Sequence, residues 1–204
     1  MKSGLYLKYG KRLVDVCLSF SALVVLLPLF LIIAIAIKLD SPGPIIYKST
    51  VVGNKGPFVW YKFRTMIKDA EKLKKRLWDK NEAAWPMFKM KDDPRITKVG
   101  KILRRFFIDE SPQFFNVLKG DASIIGPRPP DALEYKHFTE FQKKKLQVKS
   151  GIVCLWQVSK NHKKYDSFDD WVREDLRYIE SMSFALDLKI MFKTIWHMLS
   201  GKGL

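Results

Sequence analysis

The amino-acid sequence predicts an α+β fold that is mostly helical, with a membrane-embedded amino-terminal segment followed by one small domain. Three features predict it: an uncharged apolar segment over residues 16–37, two β-rich runs around a Gly/Asn turn at residues 53–56, and apolar stripes at helical spacing over residues 99–107 and 184–199. A chain of 204 residues is long enough for one domain with a hydrophobic core, and too short for two ordinary ones.

The apolar amino-terminal segment is long enough to cross a bilayer. No small-residue cleavage site follows residues 16–37, so we expect the segment to be retained. Pro28 lies at its middle and should kink a helix there. The positive-inside tendency favours a re-entrant segment with both ends on one side, because basic residues flank both ends: Lys2, Lys8, Lys11, Arg12 and Lys38. A straight span with a proline kink is the open alternative.

The rest of the chain alternates β-rich runs with amphipathic helices. Residues 45–48 and 58–63 enclose the Gly/Asn turn, which indicates a β-hairpin. Residues 68–81 are charged nearly throughout, which is typical of an exposed helix. The two later helical stripes place apolar residues on one face and basic residues off it. Beside a membrane segment, such helices favour docking on an anionic bilayer surface, although packing against a core produces the same pattern.

The composition favours an anionic partner and a reducing compartment. Lys and Arg number 37 against 21 Asp and Glu, so the net charge is +16, which suits phospholipid, nucleic acid or a phosphorylated substrate without choosing among them. Cys17 and Cys154 suggest no disulfide framework. The three histidines lack the spacing of a zinc site: His137, His162 and His197.

The strongest candidates for chemistry are the adjacent carboxylates Asp109 and Glu110. We expect Ser111 to cap a helix that starts at Pro112 and ends at Gly120, which places both acids at the positive end of a helix dipole. Alone, such a pair is ordinary, because acidic residues are stabilised there by about 0.3–1 kcal/mol.

Basic residues around this pair favour a phosphate-binding site over an ordinary helix start. Arg104 and Arg105 precede it, and Arg128 lies between Pro127 and Pro129, which restrict its backbone so that its guanidinium can grip a phosphate. An adjacent Asp and Glu can divide the work, one attacking phosphorus while the other holds Mg²⁺. The metal is required by charge, because two free carboxylates would repel a diphosphate.

The order of these motifs resembles the bacterial sugar transferase family, the monotopic polyprenyl-phosphate phosphoglycosyl transferases, from Lys11 to the carboxyl end. The residues that carry the resemblance are, in order, Lys11-Arg12 with Asp15, Pro28, Ser41-Pro42-Gly43-Pro44, Lys62-Phe63-Arg64-Thr65-Met66, Asp93-Pro94-Arg95-Ile96-Thr97, Asp109-Glu110 with Pro112-Gln113 and Asn116-Val117-Leu118, Gly120-Asp121, Gly126-Pro127-Arg128-Pro129 and Trp156-Gln157-Val158. So many landmarks in one order argue against chance similarity.

The resemblance implies a fold and a reaction. It implies a re-entrant membrane helix broken at Pro28, residues 1–40, and a cytosolic interfacial catalytic domain, residues 41–204, at the cytoplasmic face of the bacterial inner membrane. It also implies the first membrane step of surface-glycan assembly, transfer of a sugar 1-phosphate from a UDP-sugar to polyprenyl (undecaprenyl) phosphate. Asp109 would attack the β-phosphorus, release UMP and carry the sugar phosphate as an acyl phosphate until polyprenyl phosphate takes it.

The resemblance assigns residue roles and partners as well. Glu110 matches a Mg²⁺-binding carboxylate and Arg128 a phosphate-binding arginine. Lys11 and Arg12 would meet the carrier's phosphate at the membrane entry. The other residues expected to bind substrate are Lys62, Arg64, Arg104, Pro127 and Gln157. The expected partners are a UDP-sugar, polyprenyl phosphate and membrane phospholipid, with a homodimer left open and no nucleic acid.

Some positions depart from the family pattern, and they concern sugar or nucleotide recognition more than the chemistry. They are Ser49-Thr50-Val51 in the hairpin, Ser150 and Cys154 before the Trp156 landmark, and Lys160 after it. Two alternatives stay open. A nucleic-acid-binding protein would explain the basic charge but not the apolar segment, and a catalytically silent membrane scaffold would explain the departures.

Overall fold

A computed structural model describes residues 4–82, 86–159 and 167–200, so that Lys160 lies outside the described residues. A π-helical turn, Tyr6–Gly10, leads into helix α1, Lys11–Asp40, and together they are long and apolar enough to cross a membrane. The predicted membrane segment is therefore helical throughout.

The predicted helix break at Pro28 is not confirmed, because α1 continues as one helix through this residue. Proline removes one backbone N–H and crowds the carbonyl four residues earlier, so it kinks a helix without having to end it. The placement of the segment in a membrane depends instead on what its two ends contact.

The predicted β-hairpin is confirmed. Strands β1, Ile46–Gly53, and β2, Gly56–Phe63, pair antiparallel from Ile46 opposite Phe63 to Gly53 opposite Gly56. Gly56 has a φ of 103°, a conformation that residues with a Cβ rarely adopt. The tight turn therefore explains why glycine stands there.

Two short helices follow the hairpin. The charged stretch forms α2, Ala70–Arg76, and a 3₁₀ turn, Trp78–Lys80. The next helix, α3, Lys98–Arg105, begins at Thr97, whose Oγ1 accepts a hydrogen bond from a backbone N–H of the first turn. Its buried Leu103 packs with Ile33 and Ile37 in a small core cluster, which fixes the carboxyl end of α1 on the domain.

The carboxyl-terminal half supplies a second small sheet and five helices in the part that the structure describes. These elements are α4, Gln113–Lys119, β3, Ser123–Ile125, α5, Ala132–Lys136, α6, Glu140–Lys143, β4, Gly151–Val153, α7, Phe168–Ser181, and α8, Phe184–Leu199. Strands β3 and β4 pair in parallel. A Cβ atom on Gly151 would overlap the backbone of Gly126, so glycine is needed where β4 approaches the loop that follows β3.

Large apolar side chains on α1 and α8 remain exposed. The main core joins the hairpin, β3, α7 and α8 through buried residues that include Trp60, Val117 and Tyr178. Outside that core, the exposed residues include Phe20, Val25, Leu31 and Ile32 of α1 and Phe192, Trp196 and Leu199 of α8. Exposed apolar surface of this extent is typical of a protein or membrane contact.

Candidate active site

The acidic pair lies in a tight turn between α3 and α4. Phe107 adopts a left-handed backbone conformation with a φ of 56°, which ends α3 and starts a 3₁₀ turn, Ile108–Glu110. The prediction that Ser111 caps α4 is wrong: its hydroxyl donates to the Ile108 carbonyl, and α4 begins after Pro112. The 3₁₀ turn directs the Ser111 hydroxyl back towards the preceding residues. The predicted end of α4 at Gly120 is confirmed.

Asp109 is a buried carboxylate with a perturbed acidity. Its side chain lies among protein atoms, and burial followed by the neighbouring charge of Glu110 raises the pKa of Asp109 to about 6. The cations Lys62 and Arg104 oppose this rise. At neutral pH Asp109 is therefore ionised while poorly solvated, which suits a nucleophile.

Two of the predicted substrate-binding cations converge on the acidic turn. Lys62 Nζ, on β2, lies 2.5 Å from Glu110 Oε1. The Nε of Arg104, at the end of α3, donates to Thr65 Oγ1 at 2.9 Å, which holds its side chain beside the end of the hairpin. The fold thus brings together two carboxylates and two cations that lie on three separate elements.

Arg128 lies in the loop after β3 and is fixed by a buried acid. Its Nη1 is 3.0 Å from Glu134 Oε2, and the guanidinium remains about one-third exposed. Glu134 belongs to a capping box at the start of α5, where the Asp131 side chain accepts from two backbone N–H groups. Burial acts to raise the pKa of Glu134, but its ion pair with Arg128 outweighs it and the pKa is lowered.

A second buried ion pair joins α7 to the turn before β4. Lys145 and Asp175 form an ion pair in which both side chains are almost fully buried. Burial raises the pKa of Asp175, while Lys145 and Arg128 oppose the rise. Burial raises the pKa of the nearby Cys154 thiol, and the charge of Asp175 adds to the rise.

Sequence reasoning missed the residues that anchor Arg128. A signal existed for one of them, because the spacing from Asp131 to Glu134 is that of a capping box. No local pattern marked Lys145 and Asp175, which lie on different elements.

Two other predicted binding residues have structural contacts. The Oε1 of Gln157 accepts a hydrogen bond from the backbone N–H of Cys154 at 2.8 Å. Pro127 is fully buried in the loop.

Three other predicted binding residues join α1 to the rest of the domain. Lys11 Nζ lies 2.6 Å from Asp187 Oδ2 on α8. Arg12 donates to the carbonyls of Val117 and Leu118 at the end of α4. Arg64 is buried and donates to the carbonyls of Ile37 and Ser41 at the end of α1. Contact of Lys11, Arg12 and Arg64 with a carrier phosphate stays a prediction.

Comparison with known proteins gives one family. The family described as "Bacterial sugar transferase" matches residues 6–201. The chain is 42% identical over 195 residues to the galactosyl transferase CpsE of Streptococcus agalactiae, covering 95% of this chain and 43% of that protein. It is 37% identical over 194 residues to the exopolysaccharide production protein ExoY of Sinorhizobium fredii, covering 91% and 84%.

A third relative names both substrates of a transfer reaction. The UDP-glucose:undecaprenyl-phosphate glucose-1-phosphate transferase of Escherichia coli K12 is 36% identical over 194 residues, covering 91% of this chain and 39% of that protein. The chain thus spans less than half the length of the Streptococcus and Escherichia relatives and most of the length of the Sinorhizobium relative. Because the family matches almost the whole chain, this protein belongs to the bacterial sugar transferase family.

Proposed function

We propose that the protein transfers a sugar 1-phosphate from a UDP-sugar to polyprenyl phosphate, in the form of undecaprenyl phosphate, through a covalent intermediate on Asp109. The observation that carries this proposal is the buried Asp109 carboxylate, with a pKa of about 6, next to Glu110 and between the cations Lys62 and Arg104. The names of the relatives support the substrate classes.

The first step forms an acyl phosphate. An Asp109 carboxylate oxygen attacks the β-phosphorus of the donor, the bond from that phosphorus to the bridging oxygen breaks, and the electron pair leaves with UMP. Phosphoryl transfer needs alignment and charge neutralisation more than covalent assistance. Lys62, Arg104 and Arg128 supply positive charge for the diphosphate.

The second step regenerates the enzyme. A phosphate oxygen of polyprenyl phosphate attacks the phosphorus of the acyl phosphate, and the bond to Asp109 breaks. The products are the free carboxylate and polyprenyl diphosphosugar. A donor dissolved in water and an acceptor dissolved in lipid both reach a site at the bilayer surface, which suits the acidic turn, because its Ile108 packs with Ile33 and Ile37 near the carboxyl end of α1.

The residues present fit a Mg²⁺ ion that is shared with substrate. Among the described residues there is no cluster of three or more His, Cys, Asp or Glu side chains that could hold a metal alone. Mg²⁺ sites commonly use one or two carboxylates plus substrate phosphates, and keep several waters. Glu110 is the residue that would hold the ion, since its carboxylate is partly exposed and Lys62, its ion-pair partner in the described part of the chain, can be displaced. The ion would neutralise the diphosphate charge.

Glu110→Gln should weaken the dependence on Mg²⁺. We expect the Mg²⁺ concentration for half-maximal UMP release to rise at least roughly tenfold, because an amide oxygen binds the ion more weakly than a carboxylate. The rate should partly recover at saturating Mg²⁺. Glu140→Gln, on an exposed side chain of α6, is the matched control. An unchanged Mg²⁺ titration in the Glu110 variant would contradict the metal role.

The rate of the first step should follow the ionisation of Asp109. Only the carboxylate attacks, so the burst of UMP without carrier should fall about tenfold per pH unit on the acid side of the pKa of Asp109 and level off above it. That pKa is about 6 in the metal-free protein, and Mg²⁺ bound at Glu110 would lower it. Leaving out the carrier removes the titration of its own phosphate. Lys62→Met should move the acid limb to higher pH, because Lys62 lowers the pKa of Asp109. Lys55→Met, in the hairpin turn, serves as the control. A burst with no acid limb at any pH at which the protein stays folded would contradict this assignment.

We infer that α1 is re-entrant, with both ends on the cytoplasmic side. Asp15 Oδ1 accepts from the backbone N–H of Ile124 at 3.0 Å, and Asp40 Oδ2 accepts from that of Val99 at 3.0 Å. A straight α-helix covers about 37 Å between Asp15 and Asp40, which exceeds a hydrocarbon core of about 30 Å. A straight span would leave one end on the far side, where it could not contact the domain. These contacts support a helix that bends at Pro28 and returns to the side of the bilayer on which the domain lies.

Labelling can test this topology in a Cys17→Ala background. We expect Lys8→Cys, before α1, and Lys48→Cys, in β1, to react with a membrane-impermeant maleimide only after the cells are permeabilised. Both side chains are exposed, so each cysteine should be reactive once the reagent reaches it. Labelling of Lys8→Cys alone in intact cells or spheroplasts would show a straight span and contradict re-entry.

The reaction itself is tested with purified protein in nanodiscs, Mg²⁺ and a panel of UDP-sugars. UMP release together with a phosphosugar mass adduct on the protein supports the proposal and names the donor. A membrane scaffold without activity would release no UMP from any donor. A nucleic-acid-binding protein would leave membranes with salt alone, whereas the exposed apolar faces of α1 and α8 should require detergent.

A further inference from the structure

A cavity of about 390 Å³ lies between the α2 segment and α5. Lys74, Lys75 and Trp78 line it on one side, and Asp131 and Leu133 line it on the other. Pockets that bind small organic ligands have volumes of roughly 300–1,000 Å³. Its described lining residues include neither the acidic pair nor the two cations that surround the pair, so the cavity is separate from the point of attack.

The walls of the cavity suit a neutral polar group better than a phosphate. The formal charges of Lys74 and Lys75 are balanced by those of Glu71 and Asp131, so these four side chains provide no excess positive charge. The carboxylates can accept hydrogen bonds from hydroxyl or ring N–H groups. Trp78 adds an indole ring, and aromatic rings of this kind stack on nucleobases.

The cavity adjoins the phosphate-binding end of the site. Glu134 lines it and also holds the Arg128 guanidinium. On the other side, Tyr47 of β1 is the partner of Lys62 across the hairpin. Val51 of the same strand forms a β-bridge with Asp131, which lines the cavity, so the hairpin lies beside the cavity wall. A ligand in the cavity would thus lie next to Arg128 and beside the hairpin that carries Lys62.

We propose that this cavity binds the nucleoside of the UDP-sugar donor, with the uracil against Trp78 and the ribose hydroxyls towards Asp131. The inference rests on the proposed function, because it uses the order of groups along the donor. The β-phosphorus must lie at Asp109, and the sugar stays attached to it. The α-phosphate and the nucleoside depart together as UMP, on the side away from Asp109. A nucleoside that passes Arg128 enters this cavity.

The test measures the affinity of UMP for the full chain in nanodiscs by calorimetry. Trp78→Ala should weaken UMP binding by roughly 5- to 150-fold, the loss expected for one base–aromatic stack. Inhibition of UMP release by inorganic pyrophosphate should not change, because pyrophosphate has no base. UMP affinity that is unaffected by this substitution, or no binding of UMP by the unaltered protein, would overturn the proposal.

A second variant covers the case in which Trp78→Ala does not fold. Leu133 is exposed on α5, so Leu133→Trp should fold and fill part of the cavity, weakening UMP at least roughly tenfold by steric exclusion. Lys136→Trp places the same ring on the same helix but outside the lining, and should leave UMP affinity unchanged. If Leu133→Trp instead alters only the preference among UDP-sugars, the cavity holds the sugar and the proposal is wrong.

Binding and turnover separate this proposal from the reaction. UMP binding that depends on Trp78, in a protein that releases UMP from no donor, would leave the cavity assignment standing and remove the proposed function. UMP release with a phosphosugar adduct, in a protein whose UMP affinity is the same with and without Trp78, would leave the function standing and remove the cavity assignment.

Discussion

Asp109→Asn should abolish both UMP release and the covalent phosphosugar adduct. The amide nitrogen and oxygen cannot replace a carboxylate as the nucleophile, and loss of a nucleophile costs roughly 10⁴-fold or more in rate in other enzymes. The measurement is intact mass and UMP release with the donor that the unaltered protein uses. Asp92→Asn, on an exposed carboxylate outside the site, should keep both signals. Activity in the Asp109→Asn variant would overturn the nucleophile assignment.

The same substitution should stabilise the fold, which separates lost chemistry from lost structure. The pKa of Asp109 is raised from 3.8 to about 6, so the folded protein disfavours the ionised form. The contribution of Asp109 to the free energy of unfolding therefore falls as pH rises from 3.8 to about 6, by up to about 3 kcal/mol. Asparagine removes this cost at neutral pH. We expect the variant to unfold at a higher temperature at pH 7.5, and at nearly the same temperature near pH 4. A lower melting temperature at pH 7.5 would contradict the burial of an ionised Asp109.

The parts of the fold that could be predicted from the sequence depend on local signals. The apolar run of α1, the turn at Gly56 and the left-handed end of α4 at Gly120 each follow from a few neighbouring residues. The acidic pair was also identifiable locally. Its helix cap was not, because the left-handed Phe107 changes the direction of the chain just before Ser111. Aromatic residues seldom adopt that conformation, so the sequence favoured the simpler cap.

The partners of the site residues could not be predicted, because they depend on how distant elements pack. Lys62 and Glu110 are 48 positions apart, and Lys11 and Asp187 are 176 apart. No pattern within a single helix or strand specifies such pairs. The burial of Asp109 could not be predicted either. A carboxylate at a helix start is usually exposed, whereas Asp109 is enclosed, and this enclosure raises its pKa.

Arg128→Ala should reduce UMP release by roughly 30- to 5,000-fold. An arginine that holds a desolvated phosphate contributes about 2–5 kcal/mol, by analogy with buried charge pairs. The loss should appear with every donor in the panel, since all share the diphosphate. Arg173→Ala, in an exposed ion pair on α7, is the control and should leave the rate unchanged. Normal turnover of the Arg128→Ala variant would make Arg128 a structural residue.

Removal of Arg128 also leaves Glu134 buried without its partner, so alanine alone cannot distinguish a binding role from a structural one. Arg128→Lys resolves this point. Lysine keeps a positive charge within reach of Glu134, so the variant should fold and melt near the temperature of the unaltered protein. It lacks the forked guanidinium, however, and cannot hold a phosphate and Glu134 with paired hydrogen bonds at once. A folded Arg128→Lys variant should therefore still lose at least roughly tenfold in UMP release. Full activity in that variant would show that Arg128 acts through its charge on Glu134 rather than by gripping the donor.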